Sequence, residues 1–273
     1  MLGKLLKHEL RQTARSVMTI YIILAAVAGI LLLSSVIGAT LFKALSNVAL
    51  FTAAIVMMIM TLVAIIKNFR ETLYGRQGYL SFTLPVRCSS LLLSKILVSV
   101  FWLICAVALM LVVYVIMYLT MTGENGIELI GNLKDIIAEI GYSDLLPSKV
   151  LVIEAVILMG IWLLMQFIIL IGFIYFSITM ANTRALQQHP TLYGILIFFV
   201  SYFVVSTASR PLTEKVPLSL QFADDNLKIA FVSMMNAEAT FSFGIAGLVF
   251  ETLVAVALLV LTGWIMENKV NVK

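Results

Sequence analysis

The chain has 273 residues, 62% of them hydrophobic and only 12% charged, and its mean hydropathy is +1.09. That leaves too little polar surface to cover a soluble globule of this size, so lipid must cover much of it. The net charge of +4 does not indicate nucleic acid, because the basic residues are divided among separate segments and form no single patch.

A bilayer core roughly 30 Å thick takes about 20 apolar helical residues. Six predominantly apolar runs of that length occur, approximately at 17–38, 47–66, 96–119, 155–180, 191–208 and 243–266. Continuous apolar runs select spanning helices over barrel strands, since a helix satisfies its own backbone groups where water cannot. The expected fold is therefore all-α, a single transmembrane domain over 1–273 with six spans. The first run is too long for a cleavable signal core and is read as a retained span.

Lys4, Lys7, His8, Arg11 and Arg15 fall on one helical stripe before the first span, opposite Leu2, Leu5, Leu6 and Leu10. This predicts an amphipathic helix lying in the headgroup layer, after which the chain turns into the first span. Glu9 sits within the apolar face; it either snorkels to the interface or takes a salt bridge toward a partner. In the first span Ala25 and Gly29, then Ser34 and Gly38, have the small-xxx-small spacing that permits close helix approach.

Between the second and third spans runs KNFRETLYGRQGYLSFTLPVRCSSLLLSK, from Lys67 to Lys95. Lys67 to Tyr74 can continue the second helix, Gly75 and Gly78 break it, Pro85 prevents simple continuation, and Ser89 or Ser90 can cap the next helix. This places a short element between two spans, where Tyr79, Leu80, Phe82 and Leu84 would want a partner surface. Cys88 and Cys105 would stand roughly 25 Å apart along one helix, too far for a disulfide.

The next loop carries a second helical stripe, Leu129, Ile130, Leu133, Ile136, Ile137 and Ile140, punctuated by Gly123, Gly126, Gly141 and Pro147. Glu154 can sit in the outer headgroups at the start of the fourth span, and Gln166 reads as interhelical glue. After the fifth span come Pro211 and Pro217, then Leu227 to Met235 behind Asp224 and Asp225, read as a short interfacial or re-entrant helix capped by an aspartate. Glu251 lies about 12 Å into the sixth span, where a bare carboxylate is costly. It either lines a translocation pathway or ties helices together through a local hydrogen bond.

About 12 of the 18 basic residues fall before the first span, between the second and third, after the fourth and at the carboxyl end. The positive-inside rule makes those segments cytoplasmic, with both termini inside. The inventory argues against an enzyme: there are two histidines, His8 and His189, no HExxH, no zinc-spaced cysteine pair, no GxSxG and no GxxxxGK[ST]. No metal site and no cofactor bound by this chain are expected.

GYLSFTLPV followed by LLLSK entering a span, the LLKHELRQTAR start and the six-span layout resemble the membrane permeases of ABC exporters of the type-2 class. The likeness is greatest to small bacterial permeases encoded apart from their ATPase. The family often has an acidic residue just before the Gly-Tyr-Leu triplet, where this chain has Gln77. The resemblance implies a multi-pass permease of the bacterial cell membrane. It would work with separate ABC ATPase subunits that hold the ATP and magnesium, and with a second copy of itself or a homologous permease. It further implies a cytoplasmic coupling helix between spans 2 and 3, with Arg70, Glu71, Tyr79, Leu80, Leu84 and Pro85 at the ATPase interface, and short helices in the outer loop between the last two spans. Peptides, lipids, glycans and drugs are substrates in the family. The competing readings are an ion-coupled secondary transporter or channel, for which no inverted repeat or broken span stands out, and an intramembrane enzyme.

Overall fold

The computed structural model describes residues 2–36, 40–75, 88–122, 149–183, 186, 188–216, 219–223, 226–230 and 242–268. Six helices dominate: α1 (Leu2–Val36), α2 (Thr40–Leu73), α3 (Cys88–Thr122), α4 (Lys149–Ala181), α5 (Pro190–Lys215) and α6 (Ile245–Asn268). All six are long and apolar enough to cross a membrane. The chain is a multi-pass membrane protein with the expected all-α, six-span architecture.

Two compact units divide the chain, Met1–Ile130 with Val272–Lys273, and Gly131–Asn271. In the first, α1, α2 and α3 pack against one another. Residues four or seven apart on α1 (Glu9, Thr13, Val17 and Leu24) form its buried face, because such positions stack along one side of a helix. Leu24 joins Leu50, Ala54 and Met57 of α2 and Ala106 and Val113 of α3 in a common apolar core. Outward lie Ile22, Val56, Ile59, Leu97, Phe101 and other large apolar side chains, as a lipid-covered surface requires.

In the second unit α4, α5 and α6 pack together around Ile169, Phe173 and Ala255. Gly172 lets α4 approach α6 closely: a Cβ there would stand 3.3 Å from both the Cβ and the carbonyl oxygen of Ala255. Phe173 meets Tyr202 edge-on at 5.9 Å, and Tyr202 stacks on Phe198 at 6.0 Å. A small antiparallel sheet in the order β2-β1-β3 follows α5, with β1 at Ser219–Ala223, β2 at Asn226–Ala230 and β3 at Ser242–Gly244.

Four expectations are corrected. The amino-terminal segment is not a separate helix that turns into the first span: α1 is one uninterrupted helix of 35 residues, and no proline or glycine pair stands between Lys4 and Arg15 to break it. The described part of the last interspan loop holds strands where short helices were expected. Leu227–Ala230 belongs to β2 and pairs with β1, Leu220 opposite Ile229 and Phe222 opposite Leu227, because SLQFA and NLKIA alternate with period two. Pro211 does not lie in a loop but inside α5, which runs on to Lys215; a spanning helix tolerates the lost N–H when neighbouring groups make it good. Ser89 and Ser90 fall within α3, which starts at Cys88. The predicted coupling helix, with Tyr79, Leu80, Leu84 and Pro85, and the stripe from Leu129 to Ile140 lie outside the described residues.

At the α5–α6 crossing a Cβ on Gly247 would collide with Thr213 Oγ1 and stand 3.1 Å from the Ser209 carbonyl oxygen. Gly247→Ala should therefore destabilise the protein by about 1–3 kcal/mol, and Thr213→Ala should recover most of that loss in the double variant. Thermal melting in detergent checks this; equal melting of Gly247→Ala and wild type would show that the helices do not meet there.

Candidate functional site

A polar cluster joins the three helices of the first unit near the ends of α2 and α3 that flank the 76–87 segment. Its centre is an ion pair, Lys95 Nζ to Glu9 Oε1 at 2.7 Å, with side chains 2% and 11% exposed. The ammonium also donates to Thr72 Oγ1 at 2.7 Å, and Asn68 Nδ2 donates to Glu9 Oε2 at 3.4 Å. One turn further along α1, the Thr13 hydroxyl donates to the Glu9 carbonyl at 2.7 Å and accepts from Trp102 Nε1 at 3.0 Å. Tyr21 closes the series by donating to the Trp102 carbonyl at 3.0 Å, its ring edge-on to the indole.

Each position follows from helix geometry. Glu9 and Thr13, four apart, share the buried face of α1; Asn68 and Thr72 do so on α2, where the Thr72 hydroxyl bonds back to the Asn68 carbonyl. Lys95 and Trp102, seven apart, share one face of α3. The charges are thus held by three helices at once, and each carboxylate oxygen and the ammonium has a partner. Without such partners a buried charge is strongly destabilising.

Glu9 therefore neither snorkels nor reaches for another chain; it pairs within its own unit. Lys4, Lys7, Arg11 and Arg15 are exposed on the opposite side of α1. Arg70 and Glu71 are exposed in the last turn of α2, with Glu71 3.8 Å from Lys67. That helix ends at Leu73, and at Gly75, two residues on, a Cβ would stand 2.6 Å from the Glu71 carbonyl oxygen. Lys95, Thr72, Asn68 and Trp102 are the members that sequence reasoning missed. The available signal was Lys95 itself, a lysine set at the mouth of a long apolar run and matched by the misplaced acid on α1.

The second unit has its own buried polar contact. The Ser209 hydroxyl of α5 donates to Glu251 Oε1 of α6 at 2.5 Å and lies 3.0 Å from the Ser206 carbonyl; Thr213 donates to the Ser209 carbonyl at 3.0 Å. Glu251 thus ties α5 to α6. The Thr252 hydroxyl of α6 donates to the Leu248 carbonyl of its own helix at 2.7 Å and lies 3.9 Å from the Met165 sulfur of α4. Among the described residues no group of three or more His, Cys, Asp or Glu side chains is placed to hold a metal.

Comparison with protein families, with curated proteins and with solved structures finds no match to this chain.

The two ion pairs of the first unit should differ sharply in worth. Lys95→Met strands the Glu9 carboxylate and should cost about 3–5 kcal/mol, whereas Lys67→Met removes only an exposed contact and should cost under about 0.5 kcal/mol. Chemical or thermal unfolding in detergent measures both; equal effects would mean that the Glu9–Lys95 pair is not closed off from water.

Proposed function

We propose that this chain is the membrane-spanning permease subunit of an ATP-driven ABC exporter, energised by separate nucleotide-binding subunits. The orientation in this reading is both termini cytoplasmic in a bacterial cell membrane, because the basic first turns of α1 and the basic stretch from Lys67 to Lys95 would share one side. ATP and magnesium belong to the partner subunits, and a second permease copy or a homologue completes the transporter. The exported molecule is of the peptide, lipid or drug type.

The observation that carries this reading is the polar cluster. A coupling element can move spans only if it is fixed to them, and the segment bearing Tyr79, Leu80, Leu84 and Pro85 is flanked by α2 and α3, where Asn68 and Lys95 bind Glu9 of α1 and Thr72 binds Lys95. Force applied to that segment would reach three helices together, a rigid-body displacement. Length supports it as well. The 34 residues of α2 and 35 of α3 make each helix about 51–53 Å long, beyond the roughly 40–45 Å of a whole bilayer. Arg70 and Glu71 then stand outside the membrane beside the docking segment. Glu251, tied to Ser209 in the other unit, is the candidate acid on the translocation route.

In this mechanism the ATPase subunits close on ATP, their clefts carry the docked segments with them, and α1–α3 follow as one body. Leu84→Asp puts a charge into the apolar centre of the docking contact and should abolish ATPase copurification while the permease remains folded in membranes. Arg87→Ala, at the rim, should cost little. Wild-type copurification and wild-type substrate-stimulated ATP hydrolysis with Leu84→Asp would refute the coupling role and, with it, the exporter reading.

A further inference from the structure

Beyond the orientation its charges imply, the exposed side of α1 carries a profile that neither the helix packing nor the ATPase contact uses. Lys4, Lys7, Arg11 and Arg15 occur at three- and four-residue intervals on one face, and all four are exposed. The same face continues without a break into Met18, Ile22 and Ala25, also exposed, with Met18 at 52% and Ile22 at 66%. Cationic positions thus pass directly into apolar ones along a single uninterrupted helix. Among the described residues none of the four basic side chains forms an ion pair; the two salt bridges involve Lys67 and Lys95.

The depth of this stripe follows from the buried side of the same helix. Glu9 meets Asn68, two residues past the apolar run of α2, and Lys95, which directly precedes the apolar run of α3. Glu9 therefore marks the edge of the hydrocarbon layer. At 1.5 Å per residue Lys4 and Lys7 stand about 3–8 Å outside that level, and Arg11 and Arg15 about 3–9 Å inside it. Helical side chains tilt toward the amino terminus, and long basic ones snorkel, so Arg11 and Arg15 reach back to the boundary, while Lys4 and Lys7 already stand on its polar side. The four cationic groups converge on the headgroup layer. Met18, Ile22 and Ala25 lie below, where acyl chains run.

We propose that this face of α1 is a binding site for anionic phospholipid, with the four basic side chains on the headgroup and the Met18–Ile22–Ala25 face along an acyl chain. The complement is a phosphate that carries net negative charge and is attached to hydrocarbon, which a soluble anion or a neutral headgroup does not provide. The opposite face is committed to the Glu9–Lys95 cluster, so the lipid binds beside that cluster without displacing it. The assignment does not depend on the exporter reading or on which side of the membrane the termini occupy.

Native mass spectrometry of the purified full chain, titrated with phosphatidylglycerol or phosphatidylcholine, tests it. A basic residue near an anionic surface is worth roughly a fivefold factor, so wild type should retain phosphatidylglycerol about tenfold or more in preference to phosphatidylcholine. Lys4→Gln/Lys7→Gln/Arg11→Gln/Arg15→Gln should bring that preference to about twofold or less, Arg11→Gln/Arg15→Gln should remove a large part of it, and Arg11→Lys/Arg15→Lys should keep it. Because the substituted side chains are exposed, melting temperatures should stay near wild type; if the fourfold variant does not fold, the two Arg11/Arg15 variants decide. Absence of a preference in wild type, or its survival in the Gln variants, would overturn the proposal.

Discussion

A carboxylate and an ammonium that are both closed off from water cost several kcal/mol each to desolvate, and their attraction repays this only when geometry is good and the remaining bonding capacity is met. Glu9 and Lys95 meet that condition through three helices at once: the pair itself joins α1 to α3, while Thr72 and Asn68 bring in α2. The apolar core shared by Leu24, Leu50, Ala54, Met57, Ala106 and Val113 holds the same helices together. Apolar packing is permissive about rotation and sliding, particularly in lipid, where hydrocarbon surrounds the bundle anyway. An ion pair is not. A slip of one residue in α1 or α3 would part the two charges, and a slip of α2 would withdraw the Asn68 and Thr72 bonds that complete their shells, so the cluster fixes the register of all three.

That constraint orders the other features of the first unit. With Glu9 and Thr13 turned inward, Lys4, Lys7, Arg11 and Arg15 must face outward, and Trp102 and Tyr21 are drawn into line behind Thr13. The last turn of α2 and the first turns of α3 are held at one level. In the second unit close packing and a single hydrogen bond serve a similar end: glycines at 172 and 247 permit close crossings, and the Ser209–Glu251 bond secures one of them.

The six spans were legible in the sequence because lipid imposes a simple rule on length and composition, and each apolar run corresponds to a helix. The helices nevertheless run well beyond the apolar runs: α2 continues through Asn68 and Thr72, and α5 continues through Pro211 to Lys215. Hydropathy marks only the part in hydrocarbon, whereas backbone hydrogen bonding continues until something such as Gly75 stops it. The strands at Leu220–Phe222 and Leu227–Ile229 were overlooked because the apolar positions were read for a helical stretch although they alternate with polar ones. Glu9 was recognisable as an acid in the wrong place, but its partner lies 86 residues away. No local spacing encodes such a pairing; Lys95 read simply as one more basic residue flanking a span.

The interdependence of the pair is the part of this account that can be tested without reference to any activity. Exchanging the two charges, Glu9→Lys with Lys95→Glu, keeps opposite charges across the α1–α3 contact while each single substitution places two like charges face to face. Thermal melting of the four proteins in one detergent measures the coupling directly. The account predicts that each single variant melts lower by on the order of 10 °C and that the double variant recovers at least about half of either loss. A double variant whose loss equals the sum of the two single losses would contradict it, since the two side chains would then act independently.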